Sequence, residues 1–152
     1  MAVRLFVGAS IAWLALLALT AAAPDAVPSF LSSSVFRLSS YLCHQEPERS
    51  FHWGDARWAV CARCLGLYGA APAGALLALA ARPRALERRG NVLLLAIAGA
   101  PTAVSWLGEH MLGWPMTNAV RFAAALPLGA AVAWVVARTL GVQYTLSDAR
   151  RG

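Results

Sequence analysis

Residues 5–23 read LFVGASIAWLALLALTAAA, a run of 19 positions without one charged side chain. A bilayer core roughly 30 Å thick takes about 20 helical residues to cross, so this run is long enough to span a membrane. Arg4 ahead of the run and the three alanines at its end also resemble a signal peptide. The run exceeds the usual apolar region of such peptides, about 7 to 15 residues, and this favours a retained anchor.

Three further apolar segments are candidate spans, at residues 58–81, 92–107 and 119–140. The chain of 152 residues is 59% hydrophobic and only 13% charged, which is too apolar for an ordinary soluble domain. Pro101 and Pro127 lie within the third and fourth segments, where neighbouring helices can satisfy the backbone groups that a proline frees. We predict an all-α protein, a four-helix transmembrane bundle that forms a single membrane domain over residues 1–152.

The charge pattern predicts how the bundle is oriented. All 13 basic residues are arginines, scattered between apolar spans without an interleaved basic and aromatic surface, so a nucleic-acid partner is not expected. Residues 81–90 read ARPRALERRG, and short loops this basic normally stay in the cytoplasm. The pattern predicts a multi-pass protein of the inner (plasma) membrane with both termini in the cytoplasm. Its surroundings would be the lipid bilayer.

Residues 24–57 then form an extracytoplasmic loop. Its first half reads PSFLSSSVFRLSSYL at residues 28–42, with apolar residues near one side of a helix and serines opposite. This pattern is typical of a helix lying in the membrane interface. A helix packed on the outer ends of the spans fits the pattern equally well.

All the cysteines and histidines fall on this outer side; they are Cys43, His44, His52, Cys61, Cys64 and His110. Residues three apart on a helix share a face, so the C-x-x-C at the start of span two presents two thiols together. With the preceding Cys-His pair it offers four soft or borderline ligands, as tetrahedral zinc prefers. We predict a structural Zn²⁺ site of Cys43, His44, Cys61 and Cys64 in a non-enzymatic protein. His52 or His110 is the replacement if His44 cannot turn toward the ion.

Two other functions remain open. A C-x-x-C at a helix N-terminus has its thiolate favoured by the helix dipole, and Arg63 adds positive charge, so a membrane thiol-disulfide oxidoreductase using Cys61 and Cys64 is the alternative. A small transporter is third, although the lack of acidic residues deep in the spans argues against proton coupling. Each cysteine taken singly would be explained as a small apolar residue packed in the bundle.

Arg49, Arg63 and Arg121 lie near or within the outer ends of spans, where an unpaired cation is costly. The acidic partners available on that side are Glu46, Glu48, Asp55 and Glu109. Mutual ion pairing is the expectation, and binding of an anion or a lipid headgroup is the alternative.

Small residues recur every four positions on two spans; they are Gly66, Ala70 and Gly74 on span two, and Ala125, Gly129 and Ala133 on span four. Such stripes let helices approach closely. The approach can occur inside one bundle or between two copies in a homodimer.

Residues 43–70, CHQEPERSFHWGDARWAVCARCLGLYGA, resemble the signature of a bacterial membrane-protein family known as domain of unknown function 2085. The resemblance covers about residues 41–133 and implies that one motif unites a set of residues: Cys43, His44, Gln45, Arg49, Cys61, Arg63, Cys64 and Tyr68. A later asparagine and arginine of the family pattern match Asn118 and Arg121. The acidic residue expected ahead of that asparagine is not evident, and Glu109 is the candidate to replace it.

The predicted orientation can be tested with reporter fusions. Fusions at Glu87 and after Gly152 should report the cytoplasm, and a fusion near Pro28 should report the opposite side, because the arginine-rich loop anchors the topology. A cytoplasmic signal near Pro28 would contradict the prediction and place the cysteines in a reducing compartment.

Overall fold

The computed structural model describes residues 2–81 and 88–149. Its α-helices are α1 (Ala2–Ala22), α2 (Ser29–Ser40), α3 (Ala62–Ala80), α4 (Arg88–Met111) and α5 (Asn118–Ala149). Strands β1 (Ser50–Trp53) and β2 (Ala56–Cys61) form an antiparallel hairpin. Most of the arginine-rich loop, including Arg82 and Arg84, lies outside the described residues, as do Arg150 and Arg151.

Helices α1, α3, α4 and the first 24 residues of α5 are each long and apolar enough to cross a membrane. The prediction of a four-helix bundle is therefore confirmed, and a further helix, α2, occupies the first loop as expected. Large apolar side chains such as Leu77, Leu93 and Ile97 are exposed on the outside of the bundle. In a bilayer these side chains face lipid, which is as apolar as they are.

The sequence-based boundaries were wrong at the second span and short at the third. Residues 58–61 belong to β2, and α3 begins only at Ala62. Gly54 turns the hairpin at a φ of 59°, a conformation that glycine adopts without steric cost. Helix α4 covers Arg88–Met111 rather than residues 92–107 alone, which brings Glu109 and His110 onto the helix.

The two small-residue stripes meet each other, because α3 packs lengthwise against α5. A Cβ atom added at Gly74 would collide with the backbone carbonyl of Ala130, and one at Gly129 would collide with the carbonyl of Leu67. Both helices thus approach at backbone-contact distance. The stripes are used within one chain, so a homodimer is not needed to explain them.

Helix α4 completes the bundle against α5. The Thr102 hydroxyl donates to the Ala124 carbonyl at 2.8 Å, close to the break that Pro127 makes in the α5 hydrogen-bond ladder. This contact places the end of α4, with Glu109, beside the start of α5. The ends of α3, α4 and α5 that carry Cys64, Glu109 and Arg121 are called the cysteine end below.

Replacing Gly74 by leucine should destabilise the bundle by about 1–3 kcal/mol or more, because the new side chain must push α3 away from α5. Thermal unfolding in detergent measures the effect. Gly8→Leu is the matched control, since nothing lies within 4 Å of a Cβ at Gly8. Equal midpoints for the two variants would contradict the close α3–α5 packing.

Candidate metal centre

Cys43 lies in the turn that follows α2, and Gln45 shapes that turn. Gln45 adopts a φ of 53°, which is uncommon for a residue with a side chain. The Gln45 side-chain nitrogen Nε2 donates to the carbonyls of Phe36 and Ala59 at 2.7 and 2.8 Å. The Arg57 guanidinium donates to the backbone carbonyl of Gln45 at 2.8 Å. These bonds fix the turn between α2 and the hairpin.

Cys61 and Cys64 reach the same place from the other direction. Cys61 is the last residue of β2 and the N-cap of α3, and Cys64 lies in the first turn of that helix. The sulfur atoms of Cys43, Cys61 and Cys64 all lie within 4.8 Å of one another. Three separate pieces of local structure therefore converge on one small group of thiols.

Polar contacts favour a thiolate at Cys43, which is only 5% exposed. Its sulfur accepts hydrogen bonds from the backbone amides of Cys61 at 3.2 Å and Gln45 at 3.4 Å. The thiols of Cys61 and Cys64 donate to it as well, and together these donors hold the pKa of Cys43 far below its usual value. The pKa of Cys61 is raised, because its thiol would lose the bond to Cys43 on ionising. A packed apolar cysteine would have no such set of donors.

The histidines do not join the three sulfurs within 4.8 Å, among the residues that the structure describes. His44 is exposed and lines a cavity beside the cysteines. His52 is exposed on β1, opposite Arg57. His110 stacks on the Trp106 ring with centroids 4.6 Å apart, and its Nδ1 lies 2.9 Å from the Trp106 carbonyl oxygen.

The Glu109 carboxylate forms ion pairs with three arginines. Arg63 and Arg121 each reach it at 2.7 Å, and Arg49 at 3.4 Å. Arg49 also pairs with Glu46 at 3.0 Å. The side chains of Glu109, Arg63 and Arg121 are only 11–14% exposed, so these pairs are largely removed from water. The expectation of mutual pairing is confirmed, with Glu109 as the shared partner.

Asn118 joins this charge cluster to the hairpin. Its Oδ1 accepts from Arg121 at 2.7 Å, and its Nδ2 donates to the carbonyls of Ser50 and Glu48 at 3.0 and 3.3 Å. Asn118 is therefore a positioning residue. Tyr68, one turn beyond Cys64, packs edge-on against Trp13 with ring centroids 6.1 Å apart.

A cavity of about 170 Å³ lies at the cysteine end. Its lining includes the three cysteines and the three arginines of the charge cluster. Leu42 and Trp106 also line it, and sequence reasoning did not identify these two residues. The signal available for Trp106 is that tryptophan is enriched at membrane–water interfaces.

Replacing Glu109 by glutamine should cost about 3–5 kcal/mol of stability, because three partly buried guanidinium groups lose their common counter-charge. The unfolding midpoint in detergent measures this loss. Glu48→Gln is the matched control, because Glu48 is exposed and contributes only its backbone carbonyl to Asn118. A midpoint for Glu109→Gln equal to that of the control would show that the cluster does not hold the cysteine end together.

Comparison with known proteins finds uncharacterised relatives. An uncharacterised protein of the archaeon Methanothermobacter thermautotrophicus is 31% identical over 93 residues, which cover 61% of this chain and 82% of that protein. An uncharacterised protein of Methanocaldococcus jannaschii is 46% identical over 39 residues, 26% of this chain and 25% of that protein. Both relatives are archaeal, so the expectation of a bacterial family is not confirmed. No solved structure matches the chain.

The family model described as "Predicted membrane protein (DUF2085)" matches residues 43–135. The match begins at Cys43 and includes the hairpin, α3, α4 and the first half of α5. It therefore contains the three thiols and the whole Glu109 charge cluster. The chain belongs to the family of predicted membrane proteins DUF2085.

Proposed function

We propose that this membrane protein holds one metal ion at the extracytoplasmic end of its bundle, with Cys43, Cys61 and Cys64 as ligands and Zn²⁺ as the ion. The observation that carries the proposal is the convergence of the three sulfurs within 4.8 Å. They come from a loop, the end of a strand and the first turn of a helix. One ion would therefore fasten the loop after α2 to the junction of β2 and α3.

The donor set suits zinc. Zinc–sulfur bonds of about 2.3 Å in a tetrahedron place sulfur atoms about 3.8 Å apart, a separation that the cluster reaches with a small contraction. Two backbone amides already donate to the Cys43 sulfur, as they would to a bound thiolate. Binding would replace the remaining thiol protons with the ion, so metal affinity should fall at acid pH.

Neighbouring charge supports the same assignment. Three thiolates and one divalent ion carry a net charge of −1, which is unfavourable in a weakly hydrated site. Arg63 and Arg121 lie beside the cysteines in the same cavity wall and supply compensating positive charge. The positive charge of these arginines therefore compensates both the Glu109 carboxylate and the thiolates.

A tetrahedral zinc ion takes a fourth ligand in addition to the three cysteines. His44 lines the adjoining cavity and remains the ligand predicted from the sequence. With His44 bound, the site would have four protein ligands and a purely structural role. Without it, the fourth position opens toward the cavity.

The orientation of the bundle supports an extracytoplasmic site in the inner membrane. Helix α4 begins with Arg88 and Arg89, both exposed, and reaches Glu109 in its last turn. The basic end and the cysteine end are thus at opposite ends of one membrane-spanning helix. If the basic end stays in the cytoplasm, the thiols lie on the other side.

Thiol exchange is the second candidate, because the lowered pKa of Cys43 would make it nucleophilic. Its thiolate would attack a disulfide of another molecule and release one thiol of it. Cys61 would then attack the Cys43 sulfur, release the second thiol and leave a Cys43–Cys61 disulfide. Against this function, Cys43 is only 5% exposed, so the disulfide of a partner protein has poor access to its sulfur.

Metal content and thiol reactivity distinguish the two functions. Protein purified without chelator should contain about one zinc per chain, with thiols that react slowly until a chelator removes the ion. Serine replacement of any one cysteine should release the metal and lower the unfolding midpoint, and the triple replacement should be little worse, because ligands of one ion act together. His44→Ala tests the fourth ligand, with His52→Ala as its exposed control.

Other results would decide against the metal site. Substoichiometric metal with Cys61 in a reductant-sensitive disulfide would support thiol exchange. Retained metal in all three single serine variants would exclude the cysteines as ligands. Protein with no metal and three freely reactive thiols would leave packing as the explanation of the cluster.

A further inference from the structure

The cavity beside the thiols is lined by both cysteines and arginines, and the proposed metal site does not by itself require this combination. Its wall contains the three cysteines together with Arg49, Arg63 and Arg121. A structural metal site needs no cavity. A cavity of about 170 Å³ is similar in size to one of about 150 Å³ that holds benzene, so a ligand of about six heavy atoms fits.

The arginines have more donors than the protein satisfies. Arg121 uses each of its three nitrogens, with Nε and Nη2 on Glu109 and Nη1 on Asn118. Arg63 uses Nη2 for Glu109, but its Nε is buried and has no hydrogen-bond partner among the described residues. A buried donor of this kind costs free energy unless an acceptor reaches it.

Arg49 is the most accessible of the three. It pairs through Nε with Glu46 and Glu109, and its side chain is 35% exposed. The carboxylate residue Glu46 also lines the cavity, and its pairing with Arg49 at 3.0 Å compensates its charge. The planar guanidinium fork matches phosphate oxygens two at a time.

We infer that this cavity binds a phosphate group, with one oxygen at the fourth position of the Cys43, Cys61 and Cys64 metal ion and the others on Arg49 and Arg63. The inference rests on the proposed metal site. The same phosphate chemistry is offered by free inorganic phosphate and by the headgroup of phosphatidic acid, which lies in the bilayer at the level of a helix end. On this account His44 is not a ligand.

Bound cobalt(II) gives separate absorption signals for the thiol ligands and for the fourth ligand. Protein in phosphatidylcholine nanodiscs is loaded with Co²⁺, and a sulfur-to-cobalt absorption band shows that the thiols bind the ion. Inorganic phosphate is then titrated while the visible cobalt bands, which respond to the fourth ligand, are recorded. A saturable change supports free phosphate as the ligand, and a change seen only in nanodiscs containing phosphatidic acid supports the lipid headgroup.

Substitutions of single arginines test which guanidinium groups bind the phosphate. Arg49→Gln should keep the sulfur-to-cobalt band and weaken the phosphate response about tenfold, because one charged hydrogen-bond donor is lost. Arg63→Lys should also weaken it, since the fork is replaced by a point charge. Arg37→Gln, an exposed arginine on α2 outside the cavity wall, is the control and should respond like the native protein.

The outcomes separate this inference from the metal site. A sulfur-to-cobalt band with visible bands indifferent to both phosphate and phosphatidic acid overturns the phosphate site and leaves the metal site standing. Visible cobalt bands that differ between His44→Ala and the native protein, with phosphate absent from both, would assign the fourth position to His44 and also overturn the phosphate site. Absence of any sulfur-to-cobalt band overturns both proposals.

Discussion

The carboxylate of Glu109 is the interaction on which the cysteine end depends. Charges at the end of a membrane bundle are only partly hydrated, so three arginines can remain there only with a counter-charge in contact. Glu109 on α4 supplies it to Arg63 on α3, Arg121 on α5 and Arg49 in the loop before β1. One carboxylate thereby sets the relative position of three helix ends and the hairpin.

The thiol cluster is built on that arrangement. Arg63 stands between Cys61 and Cys64, so the ion pair with Glu109 also holds the first turn of α3. Gln45 performs the corresponding task for Cys43, by tying its turn to α2 and β2. The sulfurs are thus placed by hydrogen bonds and ion pairs made by their neighbours. A preorganised set of thiols loses little conformational entropy when an ion binds, and this favours affinity.

Sequence reasoning succeeded where a single physical quantity decides the outcome. The length of an apolar run decides whether a helix can cross a bilayer, and all four spans were found in this way. The spacing of Cys61 and Cys64 predicted two thiols on one helix face, but Cys61 is the last residue of β2 and precedes α3 as its N-cap. The small-residue stripes predicted close helix approach, but only the three-dimensional arrangement shows that α3 and α5 use them on each other.

Sequence reasoning failed where contacts between distant parts of the chain decide the structure. Residues 58–61 are apolar enough to extend the second span, and hydropathy cannot distinguish a short apolar strand from the start of a helix. The Gly54-Asp55 pair was the available signal for a hairpin turn. The role of His44 as a ligand stays a prediction, since it lines the adjoining cavity but is not one of the atoms grouped within 4.8 Å. Glu109 as the common partner of three arginines depends on how α4 packs, which no local pattern reveals.

The central claim is that three thiolates bind one ion, and X-ray absorption spectroscopy at the metal edge of the purified protein tests it most directly. We expect zinc with three sulfur neighbours at about 2.3 Å and one lighter atom, oxygen or nitrogen, in the fourth position. Zinc surrounded by lighter atoms alone, or protein with no metal at all, would contradict the account.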